Sequence, residues 1–275
     1  MKFVSYMRND VAGSGVLDGE VIRPLKINAA DVMLAHLQSG AVEPALSDEE
    51  IALGEVTLTA PLMSPPRIFG IGLNYQEHAA ESKMVVQKVP TVFMKLTSSI
   101  TGPGSDVLLP PNATEPDYEA ELAVVIGKTA YKIASEDWEQ YVFGYTIVND
   151  VSARGVQLAT SQWNLGKSFP TFTPLGPCIV TRDEVKDPHA LDIRLTLSGE
   201  TMQSANTRDL LFRIPQLIEY ISSILPLEPG DIISTGTPPG VGLGRTPKRW
   251  LLDGEEMVIT IEAIGELRNR TRVVQ

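Results

Sequence analysis

Asp117-Tyr118-Glu119-Ala120-Glu121-Leu122-Ala123-Val124-Val125-Ile126-Gly127 joins an acidic opening to an apolar run of strand length. Side chains two apart on a strand share a face. Glu119 and Glu121 therefore project together, roughly 7 Å apart along the strand at about 3.3 Å per residue. Two carboxylates that close repel, and burial makes both charges costlier. Alone, the pair reads as ordinary surface charge at a wet strand edge. A second apolar run, Tyr141-Val142-Phe143-Gly144-Tyr145-Thr146-Ile147-Val148-Asn149-Asp150, also ends on an acid. Three carboxylates on two strands make an oxygen-ligand set suited to Mg²⁺ or Mn²⁺.

The chain has 275 residues, 43% of them hydrophobic, enough for one large domain or a large one with a small companion. A formal net charge of −11 argues against nucleic acid or an anionic membrane as partner, because phosphate binding needs a basic surface. No run approaches the ~20 apolar residues of a membrane span. The opening Met1-Lys2-Phe3-Val4-Ser5-Tyr6 lacks a signal-peptide core. Cys178 is the only cysteine, so no intrachain disulfide forms, and a cytoplasmic location is the simplest inference. A three-histidine zinc site would consume His36, His78 and His189 together, which disfavours that chemistry.

Residues 1–62 read as a small N-terminal unit. Lys2–Tyr6 is a candidate strand, Val11–Gly19 is turn-rich, and Val21–Leu25 pairs back as a hairpin. Asp31 caps a short helix through Gln38, which Gly40 ends. Prolines at 61, 65 and 66 mark the boundary with a second unit, residues 63–275. There Ile68–Gly72 is a strand, Gln76–Ser82 a helix and Pro90–Lys95 a strand. Val151–Gln162 is a helix candidate interrupted by Gly155. Trp163–Pro177 is too rich in Gly and Pro for a regular element, and its length favours a functional role. Cys178–Thr181 and Leu191–Ser198 are strands. Leu210, Leu211, Ile214, Leu217, Ile218, Ile221 and Leu225 keep helical spacing, with Asn206 or Thr207 as cap. Asp231–Thr235 and, last, Glu256–Glu262 are strands. Many short strands with few long helices indicate an α+β protein that is mainly β.

Four constellations could carry chemistry. Mg²⁺ binds through a few carboxylates and leaves positions for a substrate's oxygens, which suits Glu119, Glu121 and Asp150. His78 and Glu81, three apart on a helix, can pair so that the carboxylate orients the imidazole as a general base; such a pair is otherwise incidental. Lys167 on its Gly/Pro-rich loop could stabilise an enolate or oxyanion, or be a solvated loop lysine. Gly236-Thr237-Pro238-Pro239-Gly240-Val241-Gly242 could offer backbone N–H groups and the Thr237 hydroxyl to a carboxylate. Its alternative is a tight β-turn, and its glycine spacing is not that of a nucleotide cradle.

The combination and order of these segments resemble the fumarylacetoacetate hydrolase family. The resemblance rests on Gly72-Leu73-Asn74-Tyr75-x-x-His78-x-x-Glu81, Glu119-x-Glu121-Leu122, Asn149-Asp150-Val151-Ser152-Ala153-Arg154, Gln162-Trp163-Asn164-Leu165-Gly166-Lys167-Ser168-Phe169, Pro174-Leu175-Gly176-Pro177 and Thr235 to Gly242. It covers roughly residues 68–270, and the first 60 residues look like that family's variable small N-terminal domain.

The resemblance implies a mixed β-sandwich roll that holds Mg²⁺ or Mn²⁺, commonly as a homodimer, and acts on small 2-oxo acids. It assigns Glu119, Glu121 and Asp150 as metal ligands, and His78 with Glu81 as the water-activating dyad on a segment that can behave as a lid. Lys167 is the lysine beside the metal; Arg154, Gln157, Thr237, Tyr75 and Lys95 are substrate-side residues. The implied reaction is hydrolysis of a C–C bond in an acylpyruvate-like 2,4-dioxo acid such as fumarylpyruvate. Oxaloacetate decarboxylation, dienoate isomerisation or hydration, and silent 2-oxo acid binding are the alternatives. Two positions depart from the family pattern. Gly155 stands where many relatives have Asp, and Pro170 where many have Asp after Lys-Ser-Phe/Leu. Both are expected to reshape the pocket wall.

Overall fold

Both faces of the Leu122–Ile126 run are covered, which is why it is apolar at every position. In the computed structural model, which describes residues 1–41 and 43–275, the run belongs to the strand Ala120–Ile126. Leu122, Val124 and Ile126 enter one core with Tyr145, Val180, Leu195, Ile218 and Ile259. Ala123 and Val125 enter another, closed by Met33 and Leu37 of the helix Val32–Ser39. That helix begins at Asp31, whose carboxylate accepts from Leu34 N–H at 2.8 Å, and ends at Gly40 in the left-handed region. Both caps match the sequence expectation.

The strand sits inside a twelve-stranded mixed sheet. It pairs antiparallel with Val142–Asn149, Ala120 opposite Asn149, and on its other side with Ile232–Ser234. Ile232–Ser234 runs parallel to Ile68–Gly72, and Thr91–Lys95 closes that edge. In the other direction Val142–Asn149 pairs with Thr173–Thr181, which pairs with Lys2–Arg8. The N-terminal strands therefore continue the sheet that carries the acids. A second, five-stranded sheet packs on it. Its order is Glu200–Asn206, Asp192–Leu197, Glu256–Ile261, Gly265–Val273, Asp106–Leu109. This is the expected mixed, mainly β architecture. Among the described residues no helix is long and apolar enough to cross a membrane.

Several local expectations change. The turn-rich Val11–Gly19 is the strand Val11–Asp18, paired along its length with Lys2–Arg8. Its glycines mark close packing: a Cβ on Gly13 would sit 2.7 Å from the Tyr6 ring. The helix expected over 151–162 shrinks to Arg154–Gln157. The strand Thr173–Thr181 starts inside the Gly/Pro-rich segment, its prolines tolerated near a register shift opposite Tyr145 and Ile147. The amphipathic helix starts at Ile214, with Pro215 in its first turn, and runs to Ile224. Leu210 and Leu211 precede it because that segment docks on Asn74: Leu211 N–H donates to its carbonyl at 2.9 Å, Phe212 N–H to its side chain at 2.7 Å. Asn206 caps only the short turn Thr207–Asp209. Glu256–Ile261 is not the last strand; Gly265–Val273 follows. Its inward positions include Asn269 and Thr271, so no apolar alternation announced it.

Candidate active site

Two neighbouring strands bring the acids together. Glu119 precedes Ala120–Ile126, Glu121 lies within it, and Asp150 follows Val142–Asn149. Asp150 N–H donates to the Glu119 carbonyl at 2.9 Å, and Asn149 Oδ1 accepts from Glu119 N–H at 3.0 Å. All three acids are buried, with one carboxylate oxygen from each within 4.8 Å of the others.

Three buried cations surround them. Lys167 Nζ donates to Glu119 Oε2 at 2.6 Å and Asp150 Oδ2 at 2.7 Å. Lys95 Nζ donates to Asp150 Oδ1 at 2.6 Å and to the Lys167 carbonyl. Arg154 donates to Glu119 Oε1 at 2.6 Å, to Asp117 Oδ2 at 2.9 Å and to Gln157 Oε1 at 2.9 Å. Burial would raise the Glu119 carboxyl, but Arg154 and Lys167 outweigh it and hold the group well below the usual carboxylate range. Burial lowers Lys95 despite Asp150, whereas Asp150 and Glu119 more than offset burial at Lys167 and raise it.

Glu121 is different. It accepts from Ser234 Oγ at 2.6 Å and Gly236 N–H at 2.9 Å, and from no cation among the described residues. Burial, then repulsion from Asp150 and Glu119, pushes its carboxyl up to about 8. The buried acids Asp117, Glu119, Glu121 and Asp150 thus outnumber Lys95, Arg154 and Lys167. Three hard oxygen donors in a dry site, one of which only a further positive charge would keep ionised, fit a divalent cation such as Mg²⁺ or Mn²⁺.

The dyad forms as its spacing predicts. On the helix Gln76–Glu81, His78 Nδ1 and Glu81 Oε1 are 2.9 Å apart, and both residues are largely withdrawn from solvent. The glycine-rich loop holds this pair rather than offering an empty anion cradle. Its N–H groups serve carboxylates of the protein itself: Gly236 serves Glu121, Gly240 serves Glu81 at 2.9 Å, and Gly242 and Leu243 serve Asp117 at 2.7 and 3.0 Å. The Thr237 hydroxyl donates to the Ala120 carbonyl at 3.0 Å and accepts from Gln203 at 2.8 Å, so its proton is already committed.

These groups meet at one small cavity, lined among others by His78, Glu119, Glu121, Arg154, Gln157, Lys167, Thr237 and Trp163. Tyr75 and Lys95, assigned to the substrate side from the resemblance, do not line it. Tyr75 lines a separate cleft with Glu77 and Asp209, and Lys95 lies fully buried beneath Asp150 and Lys167. Gly155 and Pro170 do not line the cavity either. A Cβ on Gly155 would lie 2.1 Å from the Thr114 hydroxyl, and Pro170 is exposed. Asp117 escaped notice as a site residue, although the spacing of two that pairs Glu119 with Glu121 also includes it. Ser234 and Gln203 carried no local signal.

Comparison with known proteins places this geometry. Residues 67–272 match the family described as fumarylacetoacetate (FAA) hydrolase C-terminal, and residues 1–61 match one described as Rv2993c-like, N-terminal. The chain is 42% identical over 267 residues to the mitochondrial oxaloacetate tautomerase FAHD2A of Bos taurus, covering 94% of this chain and 84% of the relative. Among solved structures, fumarylacetoacetate hydrolase from Exiguobacterium antarcticum is 34% identical with a TM-score of 0.90. Maleylpyruvate hydrolase from Sphingobium sp. SYK-6, in complex with manganese(II) ion and pyruvate, is 34% identical with a TM-score of 0.82. Each of these two matches covers the whole of both chains.

Proposed function

Since this chain belongs to the fumarylacetoacetate hydrolase family, we propose that it is a divalent-metal-dependent enzyme that hydrolyses an acylpyruvate-like 2,4-dioxo acid. The observation that carries this reading is that His78, paired with Glu81, lines the same cavity as Glu119 and Glu121 of the buried acidic triad. Glu119, Glu121 and Asp150 would hold the cation, which when bound supplies Lewis-acid polarisation of a 2-oxo acid. Glu81, fixed by Gly240 N–H, orients His78 so that the free imidazole nitrogen can take a proton from water. The resulting hydroxide attacks the 4-carbonyl, the C3–C4 bond breaks with its electron pair passing into a pyruvate enolate, C3 takes back the proton held by His78, and pyruvate and a carboxylic acid leave. Lys167 holds a fixed positive charge beside the triad where negative charge develops. Arg154 and Gln157 also line the cavity and are proposed to orient substrate.

A second reading is keto–enol tautomerisation of an oxaloacetate-like 2-oxo diacid. The 42% identity to oxaloacetate tautomerase supports it. In that reaction His78 removes a C3 proton and no water is consumed. A paired, preoriented base favours hydrolysis, since an acidic C3 proton asks less of it. We also propose residues 1–62 as an accessory unit to a catalytic unit at 63–275, supported by the separate family matches.

The test is incubation of Mg²⁺- or Mn²⁺-loaded protein with fumarylpyruvate, acetylpyruvate and oxaloacetate beside an EDTA-treated control. Metal-dependent release of pyruvate from an acylpyruvate, abolished in His78→Ala, is expected. Enol–keto exchange of oxaloacetate without acylpyruvate cleavage moves the assignment to tautomerase. Full hydrolysis by His78→Ala removes the dyad from the mechanism.

A further inference from the structure

The strand that carries Glu121 outruns its neighbour. Ile232–Ser234 pairs with it only as far as Ser234 opposite Ala123, and continuing that register would set Thr237 opposite Ala120. The backbone turns away first, at Gly236, whose φ of 103° favours glycine. The peptide groups of Ala120, flanked by Glu119 and Glu121, are therefore met on that side by side chains. Ala120 N–H donates to Gln203 Oε1 at 2.9 Å, and the Ala120 carbonyl accepts from the Thr237 hydroxyl at 3.0 Å. Gln203 Nε2 closes the ring, donating to Thr237 Oγ1 and to the Pro238 carbonyl, both at 2.8 Å. The amide fits only one way round, because a backbone N–H must meet its oxygen and a carbonyl its nitrogen.

Gln203 arrives from the five-stranded sheet, on the strand Glu200–Asn206, and a β-bulge aims it. Leu195 faces Gln203 but Thr196 faces Thr201, so Met202 is an extra residue in the pairing. Met202 and Gln203 are consequently both buried, between exposed Thr201 and Ser204, where a regular strand would alternate. The bulge braces the glycine-rich loop as well. The Met202 carbonyl accepts from Arg245 Nη2 at 2.7 Å. It also lies so close to Gly240, whose N–H holds Glu81, that a Cβ there would stand 2.1 Å from it. One irregularity in the second sheet thus supports both the acid-bearing strand and the loop behind the dyad. Gln203 itself is fully buried and does not line the cavity. A buried amide is costly unless it is hydrogen-bonded, and here every bond goes to a segment that carries site residues.

We propose that Gln203 is a positioning residue for the metal carboxylates: by clamping the Ala120 peptide it sets the direction of Glu119 relative to Glu121. The inference rests on the divalent-metal reading above and adds to it a residue that touches neither cation nor substrate. Without the amide, the Ala120 N–H loses its bond in a dry interior, and the Thr237 hydroxyl loses the donor that orients it. The acids remain, but their spacing is no longer fixed before the cation arrives. The cation must then order them itself, and that cost shows as weaker binding.

The test is the Mn²⁺ affinity of the full chain, read by electron paramagnetic resonance of the unbound ion. Gln203→Met keeps the length of the side chain and removes its hydrogen bonds. It is expected to weaken Mn²⁺ binding by about ten-fold or more, the scale seen when an outer partner of a metal ligand is lost. Ile259→Val, a core change on the strand that pairs with Leu195, controls for mere loss of stability. It is expected to lower the unfolding temperature and leave Mn²⁺ affinity unchanged. Thr237→Val opens the same ring from the other side with little change of shape, and decides the matter if Gln203→Met does not fold. Thr237→Ser, which keeps the hydroxyl, is expected to retain wild-type affinity. Wild-type affinity in Gln203→Met, or in Thr237→Val where the first variant does not fold, overturns the positioning role and leaves the metal reading intact. An equal loss in Ile259→Val does the same. A wild-type protein that binds no Mn²⁺ overturns the metal reading and the positioning role with it.

Discussion

Asp117 and Arg154 are tied at 2.9 Å inside the protein, and each reaches onward to a different part of the site. Arg154 continues to Glu119 at 2.6 Å, while the Asp117 oxygens take the N–H groups of Gly242 and Leu243. One buried carboxylate thus links the acidic triad to the loop that fixes Glu81. Asp117→Asn keeps the shape but removes the charge opposite Arg154. Leaving a buried cation short of its partner costs about 3 kcal/mol. Urea unfolding should register that loss, together with reduced turnover. A change below about 0.5 kcal/mol, the range of ordinary surface substitutions, would remove Asp117 from this linking role.

Gly244 offers a cleaner probe of the dyad. A Cβ there would lie 2.6 Å from Glu81 Cδ, so the flexible glutamate side chain must move aside. Gly244→Ala is therefore expected to fold normally yet lose on the order of 10²-fold in turnover, as for other small misplacements of catalytic groups. Circular dichroism and steady-state kinetics on the same preparation test this. Undiminished kcat would mean that the position of Glu81 is unimportant.

Glu121 is the member of the triad without a cation beside it. Glu121→Gln removes a carboxyl whose ionisation burial, Asp150 and Glu119 oppose. The metal-free variant should be at least as stable as the wild type. A ligand at 100 times its Kd stabilises by about 2.7 kcal/mol, and Mn²⁺ should confer such a gain on the wild type alone. Thermal unfolding with EDTA and with Mn²⁺ compares them; an equal Mn²⁺-dependent rise in Tm would exclude Glu121 as a ligand.

His36 provides a pH test remote from the site. Its ring stacks on Phe3 at 5.3 Å, its Nε2 has no partner among the described residues, and burial lowers its pKa. The unfolded chain therefore binds a proton at higher pH than the folded one, near the ordinary value of about 6.5. Stability is full above that value and falls as pH drops through it. His36→Phe should lose part of this slope; His189, also lowered by burial, retains the rest. Urea midpoints at pH 5.5 and 7.5 measure the difference, and an identical slope in the variant would rule out His36 as a contributor.

What could be read from the chain is what repeats locally. A spacing of two gives Glu119 and Glu121 a common face, and a spacing of three joins His78 to Glu81. Asp31 and Gly40 bound their helix by local capping alone. Contacts between distant segments were illegible. Nothing near Lys95 says that its ammonium belongs to Asp150, and nothing near Thr237 says that its proton goes to Ala120. Gly265–Val273 was missed for a related reason: Asn269 faces inward to hold the Gly102 and Ser105 carbonyls, so a buried strand face reads as polar.

The pairing of Ala120–Ile126 with Val142–Asn149 also bears on the order of events during synthesis. A ribosome delivers Glu119, Glu121 and Asp150 before Lys167, and well before Ser234 and Gly236. The nascent hairpin would gather mutually repelling acids while some of the groups that quiet them are still unmade. Its apolar middle, Leu122 to Val124 against Tyr145 to Ile147, can zip first. The acidic end is left to close when the late-arriving strand Ile232–Ser234 docks antiparallel on Ala120–Ile126. The acidic end of the sheet is thus the part of the fold that a truncated or stalled chain would leave open.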